Sequence, residues 1–251
     1  MTLGLPLWYW GIVLACVGLT LGSFGNVLIV RLPQGKDAGG RSACPACGRI
    51  LTMWELIPVV SYALLLGRCH GCRKTISPQY PLVEIAAMIL FVGALLHTHS
   101  LLHALAVGCA LWALLLIAVV DARTAMIPDL FLIFFVLASL AAGLLLRGRI
   151  DMIAPLLGAA FFFVQWALSR GRWIGSGDIW LGLGIGLLLG DWKLLIIAFF
   201  AAYIVGAIVA GALLLLGKVQ RSSHIPFGPF LAAGTLVALF WGEEIVRWLM
   251  V

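Results

Sequence analysis

Charge is what this chain has least of. Of its 251 residues only 26 are Lys, Arg, Asp or Glu, and 10 of those are acidic. Soluble domains carry about 25% charged residues, against 10% here, which excludes an ordinary water-exposed globule. The apolar runs lack polar/apolar alternation, which excludes a β-barrel. The first run has no basic segment ahead of it and is too long for a cleaved secretory signal, so it reads as a membrane span. The one polar stretch has no Gly-rich strand–turn–helix, so no soluble nucleotide-binding fold is spelled there. The net charge of +6 follows from membrane orientation and anionic lipid, and it asks for no nucleic acid.

What is present is 63% apolar residues, gathered in long runs. Lipid offers backbone groups no partner, so a spanning run must be helical. About 20 residues make one crossing. Eight spans are predicted, at 5–30, 81–98, 101–120, 128–146, 152–169, 178–190, 194–217 and 228–249. The sixth is short and Gly-rich, so its limits are soft. The fold class expected is an all-α integral membrane protein of about eight transmembrane helices. A small cytoplasmic zinc-binding loop domain is expected between helices 1 and 2. The parts are then a first helix (1–30), a four-cysteine cytoplasmic loop (31–80) and a polytopic membrane domain (81–251).

The 31–80 stretch holds Arg31, Lys36, Arg41, Arg49, Arg68, Arg73 and Lys74 against Asp37 and Glu55. Positive residues concentrate in cytoplasmic loops, so this stretch is expected inside and the N-terminus outside. Alternation then adds Arg123, Arg170, Arg172, Lys218 and Arg221 to the inner loops, 12 basic residues in all. The outer loops collect 4: Arg147, Arg149, Lys193 and Arg247. The pair Arg147 and Arg149 fits this topology least well.

Cys16 and Cys109 lie in spans and read as small apolar packing residues. The other four cysteines form Cys44-Pro-Ala-Cys47 and Cys69-His-Gly-Cys72. Two C-x2-C knuckles at this spacing read as a tetrahedral zinc site. A loop of this size has too few apolar residues to build its own core, and a metal supplies folding energy. A redox-active dithiol is the alternative, and disulfides suit the reducing cytoplasm poorly. Gly48 is placed to offer its N–H to a thiolate. His70 lies inside a knuckle, but four thiols already complete a tetrahedron. His97, His99 and His103 read as interfacial polar residues rather than a metal site.

Scarcity of charge makes two aspartates conspicuous. Asp121 closes an apolar run and opens Asp121-Ala-Arg-Thr-Ala-Met-Ile-Pro-Asp129; Asp178 ends Gly175-Ser-Gly-Asp178. A carboxylate at the edge of a bilayer helix is costly to keep, and such residues are functional candidates. The predicted topology brings both to one face, where a carboxylate pair can activate water. Asp129 and Glu84 each stand at the start of a span, where a carboxylate suits the helix N-terminus; Glu84 is equally a candidate to line a site.

These residues together resemble the type IV prepilin peptidase family, aspartic enzymes that process pilin-like precursors. Gly22-Ser-Phe-Gly-Asn-Val27, Arg31-Leu-Pro33, the first knuckle, Ile57-Pro-Val59 and Tyr80-Pro-Leu-Val-Glu84 follow the family's order. So do Asp121 to Asp129, the G-x-G-D at Gly175 to Asp178, and Pro226-Phe-Gly-Pro229. The chain departs at Trp180, where the family usually has a basic residue two positions after the second aspartate. The resemblance implies that Asp121 and Asp178 are the catalytic pair of a leader peptidase in the bacterial inner membrane. It implies that the substrate is a prepilin or pseudopilin precursor of type IV pilus or type II secretion systems. It also implies N-methylation of the new N-terminus with S-adenosylmethionine, with the 31–80 loop as the methyl-transfer part and 81–251 as the peptidase domain. The rival readings are a proton-coupled transporter, which would hold its carboxylates near mid-bilayer, and a membrane thiol oxidoreductase built on the knuckles.

Overall fold

The computed structural model describes residues 6–220 and 225–249. Position 5, where the first predicted span begins, and Arg221, counted among the inner basic residues, lie outside the described residues. Each of the eight predicted runs is a helix: α1 (Leu7–Arg31), α3 (Gln79–Thr98), α4 (Leu101–Thr124), α5 (Asp129–Arg147), α6 (Ile153–Ser169), α7 (Gly177–Leu189), α8 (Trp192–Leu215) and α9 (Gly228–Leu249). A one-turn helix, α2 (Val60–Leu64), lies in the polar stretch. Six of the eight are long and apolar enough to cross a membrane, whereas α6 and α7 have 17 and 13 residues. Among the described residues no β-strand forms.

Helix ends are set by local chemistry. Gly148 and Gly190 adopt left-handed conformations at the ends of α5 and α7, where a residue without a Cβ is unstrained. Asp191 accepts the Lys193 N–H at 2.8 Å and caps α8. Asp129 stands in the first turn of α5, where a carboxylate favours the helix dipole.

The chain divides into two compact units, residues 1–108 and 109–251, with α4 running across the division. In the first, α1 packs along α3. Gly18 and Gly22 bring the two backbones close: a Cβ on Gly22 would lie 2.6 Å from Glu84 Cα. Small residues four apart are the usual means of close helix approach in lipid. Asn26 is buried and donates to the Tyr80 carbonyl at 3.0 Å, which fixes the start of α3 against α1. Glu84 does not sit at a helix start. The helix begins at Gln79, so Glu84 lies in its second turn, buried, and accepts the Val59 N–H at 2.7 Å. Val59 has φ +61, a costly conformation for a β-branched residue, and the Glu84 bond helps hold it. The capping alternative for Glu84 is thereby replaced by a tether between α3 and the polar loop.

In the second unit α7 is the centre. Leu181, Gly182 and Gly184 through Leu189 are all buried by contact with α5, α6, α8 and α9. Its glycines admit these neighbours: a Cβ on Gly182 would lie 2.5 Å from the Gly158 carbonyl of α6, and one on Gly184 would meet Phe135 of α5. Thirteen residues rise about 20 Å, short of a full crossing, and an element enclosed by protein needs no lipid-spanning length. Its C-terminal carbonyls are closed by Arg147. That guanidinium donates to Leu187 O at 2.6 Å, Leu188 O at 3.2 Å and Leu189 O at 3.3 Å. The misfit of Arg147 in the topology count thus has a structural cause, because the charge serves as a helix cap.

Candidate active site and metal site

Both aspartates fall in the second unit. Asp121 lies within the last turn of α4, just beyond the predicted end of that span, and is 6% exposed. Asp178 lies in the first turn of α7 and is 8% exposed. Two contacts assemble the surroundings. A Cβ added at Gly177, which precedes Asp178, would lie 3.5 Å from Ile127 of the first aspartate's own motif and from Leu132 on α5. The Gly228 N–H, at the start of α9, donates to Asp121 Oδ2 at 2.7 Å. Asp178 Oδ2 accepts the Gly175 N–H at 3.1 Å across the G-x-G-D turn. The two carboxylates are within electrostatic range of one another, and Tyr203 of α8 is within range of Asp178.

The arrangement is therefore two buried carboxylates, each oriented by one backbone N–H. Two carboxylates near one another resist ionising together. The Gly228 bond was hidden from sequence reasoning: the Pro226–Pro229 motif signalled a shaped turn, but nothing local says that it meets a residue 107 positions earlier. Asp129 is exposed. Trp180 is also exposed, at 56%.

The four knuckle cysteines converge. Their sulfurs all lie within 4.8 Å of one another, and Cys44 Sγ stands 3.9 Å from Cys72 Sγ. Zinc–sulfur bonds of about 2.3 Å place tetrahedral sulfurs about 3.8 Å apart, so the donor set fits zinc. None of the four is in a disulfide. The two knuckles are copies of one another. Cys44 N–H donates to Arg49 O and Cys69 N–H to Lys74 O, while Gly48 N–H donates to Cys44 O and Arg73 N–H to Cys69 O, each at 2.9 Å. Antiparallel bridges Ala43–Ile50 and Arg68–Thr75 flank them.

Backbone amides of Ala46 and Cys47 hold the Cys44 thiol below its usual range, and those of Cys72 and Gly71 lower Cys69 to about 6. Amides aimed at sulfur favour the thiolate that a metal requires. The Gly48 N–H does not serve a sulfur as expected: it closes the turn onto the Cys44 carbonyl, because its left-handed φ of +70 directs it there. Arg49 crosses to the second knuckle and pairs with Glu55, whose carboxyl it holds down at about 2. His70 is exposed and stands apart from the four sulfurs. Among the described residues this is the one cluster suited to a metal ion, and His97, His99 and His103 form none.

A multi-pass helical membrane protein with a buried carboxylate pair and a four-cysteine loop is the class that fold and site define. Residues 16–98 match the profile described as the bacterial peptidase A24 N-terminal domain, and residues 108–211 match the type IV leader peptidase family. A prepilin leader peptidase/N-methyltransferase of Bacillus subtilis (strain 168) is 36% identical over 239 residues, covering 93% of this chain and 95% of that protein. One from Aeromonas hydrophila is 32% identical over 278 residues, covering 98% and 95%. One from Pseudomonas aeruginosa is 32% identical over 266 residues, covering 92% and 90%. The chain belongs to the type IV leader peptidase family. No solved structure matches it.

Proposed function

We propose that this chain removes the short basic leader from type IV prepilin or pseudopilin precursors, with Asp121 and Asp178 as the catalytic pair. The observation that carries the reading is the juxtaposition in one unit of two buried carboxylates, in a chain with 10 acidic residues. One carboxylate takes a proton from water as that water attacks the scissile carbonyl. The other gives a proton to the developing oxygen and, after proton redistribution, the pair protonates the leaving amine. The pair titrates as a unit, so the roles belong to both together.

The site lies at the cytoplasmic face of the inner membrane, with the N-terminus outside, in agreement with the basic loops and with the structural use of Arg147. A leader in the cytoplasm followed by an apolar helix in the bilayer would present its junction at that rim. In this reading 31–80 is the four-cysteine part and 81–251 the peptidase part. Cys44, Cys47, Cys69 and Cys72 hold a structural zinc ion, which supplies folding energy to the loop. The relatives' names include N-methyltransferase, and we extend that activity to this chain, with S-adenosylmethionine as methyl donor. The described loop has no β-strand, so a doubly wound nucleotide-binding sheet is not its basis, and the extension rests on family membership alone.

The test is leader cleavage by purified protein in vesicles. Asp121→Asn and Asp178→Asn should each lower kcat by at least about 1,000-fold, and the double variant should be no worse than either single, because the pair acts as one unit. Either single variant retaining more than about a tenth of wild-type rate refutes the assignment. Asp178→Asn should still methylate a pre-cleaved peptide.

A further inference from the structure

The turn Pro226-Phe227-Gly228-Pro229 has no part in the proton transfers above, yet three observations tie it to them. Gly228 N–H donates to Asp121 Oδ2 in a buried 2.7 Å bond. No side chain fits at that place, since a Cβ on residue 228 would lie 2.8 Å from Oδ2 and 3.2 Å from Asp121 Cβ. The neighbouring Phe227 is locked among rings from three helices: its centroid lies 4.8 Å from Tyr203 of α8, and 6.3 Å from both Phe162 of α6 and Phe230 of α9.

Those rings are fixed in turn. Phe199 of α8 stands 5.1 Å from Phe161 and 5.0 Å from Phe162, and the Tyr203 hydroxyl donates to Gln165 Oε1 of α6 at 3.0 Å. Prolines on both sides of Phe227-Gly228 remove backbone freedom. A residue pinned by its side chain on a stiff backbone also fixes the N–H that follows it.

We propose that this turn is a positioning device for the cleavage reaction, in which the aromatic cluster holds Phe227, Phe227 holds the Gly228 N–H, and that N–H sets the plane of the Asp121 carboxylate. Phe227 is a positioning residue that acts through Gly228. An aspartate side chain is free to rotate about its terminal torsion, and without the bond its oxygens would sample planes unsuited to proton transfer. The inference rests on Asp121 being catalytic.

The experiment is steady-state cleavage of a prepilin in vesicles by the full chain. Misplacing a reacting group by about 1 Å costs about 100-fold in rate. Phe227→Ala should therefore lower kcat about 10- to 100-fold with KM changed by less than about threefold. Phe227→Tyr, which keeps the ring, should recover kcat to within about threefold of wild type. Gly228→Ala should lose at least as much as Phe227→Ala, again in kcat. If Phe227→Ala does not fold, Phe227→Leu is read by the same criterion of lowered kcat at unchanged KM. A wild-type kcat in Phe227→Ala overturns the proposal, as does a loss carried by KM or one that tyrosine does not recover. The two readings fail separately. Activity in Asp121→Asn refutes the catalytic pair, whereas an inactive Asp121→Asn beside a fully active Phe227→Ala refutes the positioning device alone.

Discussion

Removing the Arg147 cap offers a direct measure of what holds α7, the helix that carries Asp178. The guanidinium donates to the carbonyls of Leu187, Leu188 and Leu189 at 2.6, 3.2 and 3.3 Å. A hydrogen bond to a charged group contributes about 1.5–3 kcal/mol. One guanidinium shared by three carbonyls gives less than three independent bonds, and water replaces part of it at a partly exposed site. About 3 kcal/mol for Arg147→Met, which keeps the aliphatic stem, is the resulting expectation. A chain of this size loses about 2–4 °C per kcal/mol, so the midpoint in mild detergent should fall by about 6–12 °C.

Tryptophan fluorescence reads the transition. Arg147→Lys should fall between wild type and Met, because an ammonium cannot span three carbonyls. Gly190 tests the same contact from the other side. It has φ +67, and a Cβ there would run into the guanidinium. Gly190→Ala should reproduce most of the loss, and the double variant should add little to it. Cleavage at 25 °C should persist in Arg147→Met, because the cap lies at the opposite end of α7 from Asp178. A midpoint within about 1 °C of wild type for Arg147→Met would refute the reasoning.

Metal analysis under reducing conditions should give about one zinc per chain, and Ser at Cys44, Cys47, Cys69 or Cys72 should make the 40–75 loop protease-sensitive; metal-free protein with an equally resistant loop would exclude the site. The two knuckles place Gly48 and Arg73 at equivalent positions with φ +70 and +59, so Arg73→Gly should relieve about 1 kcal/mol of left-handed strain and slow zinc loss to a chelator, whereas Gly48→Arg should hasten it. Gly182→Ala should destabilise the second unit by about 1–3 kcal/mol through overpacking against Gly158, read as a lowered midpoint in detergent.

The helices were legible because lipid leaves an apolar run only one conformation, and predicted and observed limits agree within a few residues for most of them. The exception of interest is α4, which continues to Thr124 and takes Asp121 into its last turn. Its hydrophobicity stops before its backbone does, and the Gly228 N–H gives the buried Asp121 a partner there. The aspartates stood out because charge is so scarce, and the cysteines because their spacing is metal-ligand spacing. What sequence could not supply were partners far apart along the chain. Glu84 reads locally as a helix-start carboxylate, yet it serves Val59, 25 residues earlier. Arg147 reads as a misplaced topogenic charge, yet it serves carbonyls 40 residues later. Likewise, nothing in the composition of 178–190 says that four other helices enclose it.

That enclosure has a consequence for how the enzyme meets its membrane. A helix facing lipid takes its depth from the hydrocarbon around it, and it tilts or shifts when the bilayer thickens or thins. Helix α7 is gripped along glycine-lined seams and stoppered by Arg147, so its depth is dictated by neighbouring helices. Asp178 rides on a peg seated in protein, so its height follows the helices around it and not the lipid directly.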